Sequence, residues 1–457
     1  MEKQNIKKVT IIGAAESGAA AALLLTRRGF AVFVTEMKTR EEIMKNEETA
    51  NDLRLLEQEH IPVELGGHSE RVFDCDLMVV SPGVPLNVPT ILEAQRRGIR
   101  MTSELEIASR FCQSTIVGIT GTNGKTTTTT LTGKILQDAG RKSVVAGNIQ
   151  PAFSSVVDST NEETIVVLEV SSFQLDTTEE FRPKIGALLN ITPDHLERYN
   201  NSMDEYAASK SRIFQHQKND DWLIYNADDR WTRRIVTPAQ SRKLAFGTKR
   251  SFDEGAYVEN GYLNIVLGGV VSEIIAVHEV LIPGPHNLQN AMAAALAAMA
   301  LGVEPKSIRT TLKSFGGVEH RLEFVRDVKR VRYINDSKAT NIDSVWYALQ
   351  SFDRPLILML GGYDKVNDYA RLHDLVRQHV REIVALGETA DKVVDSFMNI
   401  VPVYKTTSFE ESVMKASALA VPGDIVLFSP ACKSFDWFKN YRERGQLFKK
   451  LVHELPE

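Results

Sequence analysis

Cysteine is scarce in this chain. Three residues, Cys75, Cys112 and Cys432, are scattered along 457 positions with no CxxC pair. That argues against a disulfide scaffold and fits a cytoplasmic protein with reduced thiols. Long apolar runs are also missing. The longest, residues 291–303, is too short to span a bilayer and reads as a buried helix, so no membrane insertion is expected. The polar start MEKQNIKK runs directly into a strand, with no signal-peptide apolar region. Excess charge is absent too. Fifty-four basic and 59 acidic residues leave a net charge of −5, which argues against a nucleic-acid surface. There is no low-complexity tract and no short repeat. The composition that remains is that of an ordinary globular protein, long enough for two to four domains.

The most informative stretch present is TGTNGKTTT, residues 120–128. An apolar β-type run at 114–119 precedes it and a helix over 127–139 follows. Strand, glycine-rich loop and helix in that order make a phosphate cradle. Gly121 and Gly124 let the backbone approach phosphate oxygens. Lys125 would reach the terminal phosphates and the Thr126 hydroxyl would hold Mg²⁺. The strict GxxxxGK[ST] pattern is not met, because Ile119 stands where it requires Gly. The expectation is use of ATP or GTP. No NKxD guanine-reading motif is present, which disfavours a GTPase switch.

The surrounding pattern is α/β in three segments, with boundaries near 103 and 317. Strands at Lys8–Ile12, 31–35 and Leu77–Val80 around a glycine-rich turn at 13–18 predict a Rossmann-like opening. The second segment carries the phosphate loop, strands at 164–168 and 185–189, a β-rich stretch at 237–279 with a hairpin turn at Glu259-Asn260-Gly261, and an Ala-rich helix after Gly284. The third segment repeats the alternation, with strands at 331–334, 356–360, 383–386 and Ile425–Phe428.

Ligands gather at the C-terminal ends of strands in such sheets. Glu169 sits at one of these ends and suits Mg²⁺. Asn190, Asp194 and His195 follow the next strand; a histidine there is a metal ligand, a proton shuttle or structural. Lys210, on a predicted helix, reads from pattern alone as solvated. Glu36 ends the second strand as a ribose or base acceptor or as a surface carboxylate. Lys338, Lys365 and Lys433 lie after three strands of the third segment and together suit a multiply anionic small molecule.

The motifs GITGTNGKTT, EVSSFQL, LNITPDHLERY, YAASKSRIF, GPHNLQN, EHRLE, INDSKATN and SPACKSFDWFKNYRERG occur in this order over essentially the whole chain. Together they resemble the Mur ligases of peptidoglycan synthesis, and VSSFQL with SPACKSFDWF resembles the D-glutamate-adding type. The resemblance implies a UDP-substrate domain at 1–103, a central ATPase with a mostly parallel sheet at 104–317 and an amino-acid-binding Rossmann-like domain at 318–457. It implies that ATP phosphorylates the carboxylate of UDP-N-acetylmuramoyl-L-alanine and that the D-glutamate amine displaces the phosphate. It further implies that Gly121, Thr122, Asn123, Gly124, Lys125, Thr126 and Thr127 cradle ATP, and that Asn287 and Asn290 contact it. His320, Arg321 and Asp336 would reach the nucleotide from the third domain. Thr126, Glu169, His195 and Lys210 would serve two Mg²⁺ sites, Lys210 as a CO₂-derived carbamate. Ser17, Glu36, Ser81, Pro82, Gly83, Asn87 and Asn148 are the implied contacts to the UDP substrate. Thr340, Lys365, Ser434, Phe435 and Tyr441 form the implied D-glutamate pocket, with Lys338 catalytic beside it. A monomer is the default. The chain departs from the family pattern at Ala15 and Gln150, where glycine is usual, and in GGYDK at 361–365.

Overall fold

Nearly continuous Val, Ile and Leu runs make strands buried on both faces, and three parallel-dominated sheets result. The computed structural model describes residues 6–248, 251–363 and 367–456. The first sheet holds β1 (Lys8–Ile12), β2 (Ala31–Glu36), β3 (Val63–Leu65), β4 (Leu77–Val80) and β5 (Met101–Thr102). Its order is 3-2-1-4-5 and every pairing is parallel. The order reverses at β1, so a crevice opens beyond its C-terminal end, where the turn at 13–18 lies. The Ala-rich helix Glu16–Arg27 leaves that turn with Glu16 in its first turn and Arg27 in its last, matching the helix dipole.

The second sheet contains β6 (Thr115–Thr120), β7 (Ser143–Gly147), β8 (Ile165–Glu169), β9 (Ile185–Leu188), β10 (Trp222–Asn226), β11 (Arg242–Gly247), β12 (Gly255–Glu259), β13 (Tyr262–Leu267) and β14 (Val270–Ala276), in the order 14-13-12-11-10-9-6-8-7. From β7 through β12 the pairings are parallel, and β12–β13 is an antiparallel hairpin. Its turn residues Asn260 and Gly261 have φ of 52° and 79°, the left-handed pair that a two-residue hairpin requires. The expected phosphate-loop helix starts at Lys125 rather than 127, because Gly124 caps it.

The third sheet contains β15 (Glu323–Val328), β16 (Val331–Asn335), β17 (Leu356–Gly361), β18 (Val380–Leu386), β19 (Val403–Lys405) and β20 (Ile425–Phe428), ordered 15-16-20-17-18-19. All its strands are parallel except for the β15–β16 hairpin. By compactness, Met1–Ile275 with Gln289–Thr311 forms one unit, and Ala276–Leu288 with Leu312–Glu457 another. Among the described residues, no helix is long and apolar enough to cross a membrane.

Candidate active site

The loop Gly121–Gly124 joins β6 to the 14-residue helix Lys125–Asp138. Gly124 is left-handed, with φ 84°, and a Cβ there would lie 2.2 Å from Asn290 Oδ1. Only glycine fits both the conformation and the approach. Asn190 braces the loop: its backbone oxygen accepts from Thr122 N–H at 2.9 Å and its Oδ1 from Asn123 N–H at 2.8 Å, while its Nδ2 donates to Asn123 O at 3.0 Å. Thr122 Oγ1 donates to Thr192 O and lies 3.2 Å from the Tyr206 hydroxyl. Thr122 and Asn123 therefore spend their N–H groups on the loop's shape. The first helical turn, from Lys125 through Thr127, points its N–H groups to the mouth, where a phosphate is favoured.

Two lysines converge on one carbonyl. Lys125 Nζ donates to Gly121 O at 2.9 Å and to Thr122 O at 2.8 Å, and Lys210 Nζ donates to Gly121 O at 3.0 Å. Lys210 is 1% exposed, and its Nζ lies 4.6 Å from the centre of the Tyr206 ring. The solvated side chain that its sequence pattern predicts is thus corrected. The helix Met203–Ser211 turns Tyr206, Ala207 and Lys210 inward together. Burial first, and then the Lys125 charge, hold this amine well below the ordinary lysine range, favouring the neutral, nucleophilic form.

Glu169 closes β8, paired with Ile119 on β6 and Gly147 on β7. It is 4% exposed. Its Oε1 accepts from Asn148 Nδ2 at 3.0 Å, and its backbone oxygen from Asn148 N–H at 2.8 Å. Oε2 is buried without a hydrogen-bond partner. A buried, unsatisfied carboxylate oxygen one strand from the phosphate loop, with the Thr126 hydroxyl at the helix start, is a hard-oxygen donor set that fits Mg²⁺. Asn148, implied as a substrate contact, orients this carboxylate. His195 has left-handed backbone (φ 52°) and a half-exposed ring. The ring lies 3.7 Å from the carboxylates of Asp194 and Glu197 and edge-on to Phe173. Among the described residues, the one group of three acidic or imidazole side chains close enough to share an ion is Glu319, His320 and Glu323. Lys449 already bridges both of those carboxylates, at 2.8 and 2.7 Å. Glu169 and His195 do not form a ready-made cluster of that kind.

At the first sheet the implied UDP contacts gather around the turn at 13–18. Glu36 Oε2 accepts from Ala14 N–H at 3.1 Å and Ser81 Oγ donates to Gly13 O at 3.4 Å. Ser17 lies in the first turn of the helix Glu16–Arg27. Pro82 is half-buried, and Gly83 and Asn87 are exposed on the loop after β4. Gly18 is required there, since a Cβ on it would fall 1.9 Å from Gly13 O.

In the third sheet, Asp336 is buried and its carboxylate is engaged inside the domain: Oδ2 accepts from Ser429 Oγ at 2.7 Å and Oδ1 from Leu322 N–H at 3.2 Å. Burial pushes it up to about 7, against the Ser429 hydrogen bond and the Arg321 charge. Arg321 Nε is buried without a partner. His320 is buried and its Nδ1 lies 2.9 Å from Asn335 Nδ2, so it shapes the domain from within. Asn287 Nδ2 donates to Pro283 O at 2.7 Å. Lys338 Nζ lies 5.7 Å from the centre of the Tyr441 ring. Thr340 precedes Asn341, which caps the helix Ile342–Leu349. Ser434 is buried, whereas Phe435 is 58% exposed with its ring 6.3 Å from Tyr363. Lys433 is exposed and Lys365 lies outside the described residues.

Sequence reasoning passed over the residue that organises this edge. Arg444 is 1% exposed and donates to Ser337 O at 2.8 Å, Ser337 Oγ at 3.1 Å, Lys433 O at 3.1 Å and Cys432 O at 3.1 Å. It stitches INDSKATN to SPACKSFDWF. Burial lowers its guanidinium to about 10. The one signal available was an arginine within a motif already singled out.

Three family profiles match successive stretches of the chain. One described as Mur ligase MurD-like, N-terminal domain matches residues 7–103. The Mur ligase middle domain matches 119–298 and the Mur ligase, glutamate ligase domain matches 320–432. The UDP-N-acetylmuramoylalanine--D-glutamate ligase of Chloroherpeton thalassium is 44% identical, over 98% of each chain. That of Salinibacter ruber is 43% identical, again over 98% of each. The crystal structure of the UDP-N-acetylmuramate-alanine ligase MurC from Thermotoga maritima shares the fold, with a TM-score of 0.61 at 19% identity over 98% of this chain and 99% of that one. By its three domains and its end-to-end relatives, this chain belongs to the Mur ligase family.

Proposed function

We propose that the chain joins D-glutamate to UDP-N-acetylmuramoyl-L-alanine with hydrolysis of ATP to ADP and phosphate, a step of peptidoglycan precursor synthesis. One observation carries the chemistry: the phosphate cradle and the unsatisfied Glu169 oxygen end on adjacent strands of one sheet. The amino acid follows from the full-length relatives.

A carboxylate is a poor electrophile at neutral pH. In this scheme an oxygen of the L-alanyl carboxylate bonds to the γ-phosphorus of ATP, the bridging P–O bond breaks, and ADP leaves with the electron pair. The deprotonated amine of D-glutamate then attacks the acyl carbon, and phosphate departs from the tetrahedral adduct. Anions must be brought together at each step, so cationic and N–H groups aimed at the phosphates matter most. Lys125 and the first turn of its helix hold the terminal phosphates. Asn190 keeps the loop open in that shape, and Asn148 fixes the rotamer of Glu169. Bound Mg²⁺ would screen phosphate charge, held by Thr126 and Glu169 with His195 toward a second ion. The neutral amine of Lys210 suits addition of CO₂, and the resulting carbamate would be a further oxygen donor.

We assign residues 1–103 to the UDP substrate, 104–317 to ATP and 318–457 to D-glutamate, in a cytoplasmic monomer. Phosphate release from ATP with UDP-N-acetylmuramoyl-L-alanine, across D-glutamate, L-glutamate, L-alanine, L-lysine and diaminopimelate, tests this. Release with D-glutamate alone, and a product heavier by one glutamyl residue, is expected. Release with another amino acid would reassign the third domain, and no release with any would refute the ligase assignment.

A further inference from the structure

Two side chains tie the first sheet's ligand edge to that of the second, and the chemistry above uses neither. Arg198 follows His195 in the short 3₁₀ turn Leu196–Arg198. Its Nη1 donates to Pro82 O at 3.1 Å and its Nη2 to Val84 O at 2.8 Å, so one guanidinium grips the loop after β4 as a fork. The same guanidinium stacks 4.0 Å from the centre of the Phe173 ring, in EVSSFQL, and the His195 ring meets that phenyl edge-on at 5.3 Å. Arg198 thus joins the loop carrying Pro82 and Gly83 to the aromatic that seats His195.

The second tie starts in the opposite domain. Glu16, beside Ser17, accepts from Ala152 N–H at 3.1 Å. Ala152 ends a loop whose Pro151 O accepts from Gly147 N–H at 3.0 Å, and the next residue, Asn148, holds Glu169. Glu104 accepts from Ser154 N–H in the same segment. Two departures from the family pattern, Ala15 and Gln150, flank this contact, one on each side.

We propose that Arg198 and Glu16 are positioning residues that clip the UDP-binding edge to the reaction edge, so that the bound UDP substrate presents its carboxylate in register with Glu169 and His195. This rests on the ligase function proposed above. The ties act in parallel. Neither touches the phosphate cradle, so nucleotide affinity is untouched by their loss.

The test is steady-state kinetics on the full chain with Arg198→Met, Glu16→Ala and the double variant, alongside binding of a fluorescent ADP analogue. Each single variant is expected to lose about tenfold in kcat/KM for UDP-N-acetylmuramoyl-L-alanine, the scale of a small misplacement of reacting groups. The KM for D-glutamate and the ADP affinity should stay within about twofold, and the double variant should lose more than the product of the singles. Arg198→Lys, which keeps the charge and loses the fork, should fall between wild type and Arg198→Met, and with Glu16→Ala it carries the test if Arg198→Met does not fold. Unchanged kcat/KM for the UDP substrate in folded variants would overturn the proposal. So would equal losses for all three substrates accompanied by a lowered Tm, which would mark a purely structural role. Wild-type protein inactive with every amino acid would instead remove the ligase assignment, and the positioning role with it.

Discussion

The phosphate-loop edge of the second sheet and the ligand edge of the third are built on opposite plans. At the first, polar atoms are buried and left partly unsatisfied: Glu169 Oε2, Thr120 Oγ1 and Thr127 Oγ1 have no hydrogen-bond partner, and Lys210 is buried as a poor cation. At the third sheet, Asp336 is held by Ser429 and Leu322, and Arg444 is saturated by three backbone carbonyls and a hydroxyl. Unsatisfied buried groups are unfavourable unless a ligand completes them. The second sheet's edge therefore suits the phosphate and cation proposed above. At the third the buried ties to Asp336 and Arg444 dominate, although Arg321 Nε is left buried without a partner, and Phe435 stands exposed.

This contrast predicts where substitutions do harm. The largest effect belongs to the phosphate edge. Lys125→Ala should lower kcat by about 10³-fold or more while thermal stability barely changes, since it removes charge stabilisation rather than packing, and Lys210→Ala should lower kcat as far by removing the amine that would carry the carbamate. For Lys210→Ala, a short carboxylic acid should restore part of the activity and bicarbonate should not. Full activity of Lys210→Ala would dissolve the contrast. Arg444→Met should do the reverse. Stranding its carbonyl partners should destabilise the third domain by about 3 kcal/mol in chemical denaturation, with ADP binding intact.

A smaller, pH-dependent effect sharpens the same point. Asp336 titrates near 7 in the folded chain, above its usual 3.8. A raised carboxylate contributes stability that is complete below 3.8 and is lost as pH rises through 7. Between pH 5 and pH 8, wild type should therefore lose about 3 kcal/mol relative to Asp336→Asn. Equal pH slopes would mean that Asp336 is not buried as described. The smallest change in stability is expected for Phe435→Ala, within about 0.5 kcal/mol because the ring is exposed, together with a raised KM for D-glutamate.

The same contrast explains what the sequence made legible. The phosphate loop is written in consecutive residues, and each glycine there has a local reason, so Gly121–Thr126 could be read directly. The Asn260-Gly261 hairpin was legible for the same reason. Lys210 and Arg444 were not, because their burial is decided by partners far along the chain: Gly121 for one, Ser337 and Cys432 for the other. A long cationic side chain on a helix looks solvated until the packing is known. Strands as short as β5, with two residues, leave no periodic signal. The roles of Asn190 and Asn148 were hidden likewise, since each acts by orienting another residue.

In the proposed reaction ATP activates the substrate carboxylate before D-glutamate is joined. UDP-N-acetylmuramoyl-L-alanine labelled with ¹⁸O in its alanyl carboxylate tests it most directly, by mass analysis of the phosphate released with ATP and D-glutamate. One ¹⁸O carried into each phosphate, with the other retained in the new amide, is the predicted result. Unlabelled phosphate alongside a labelled amide product would contradict it.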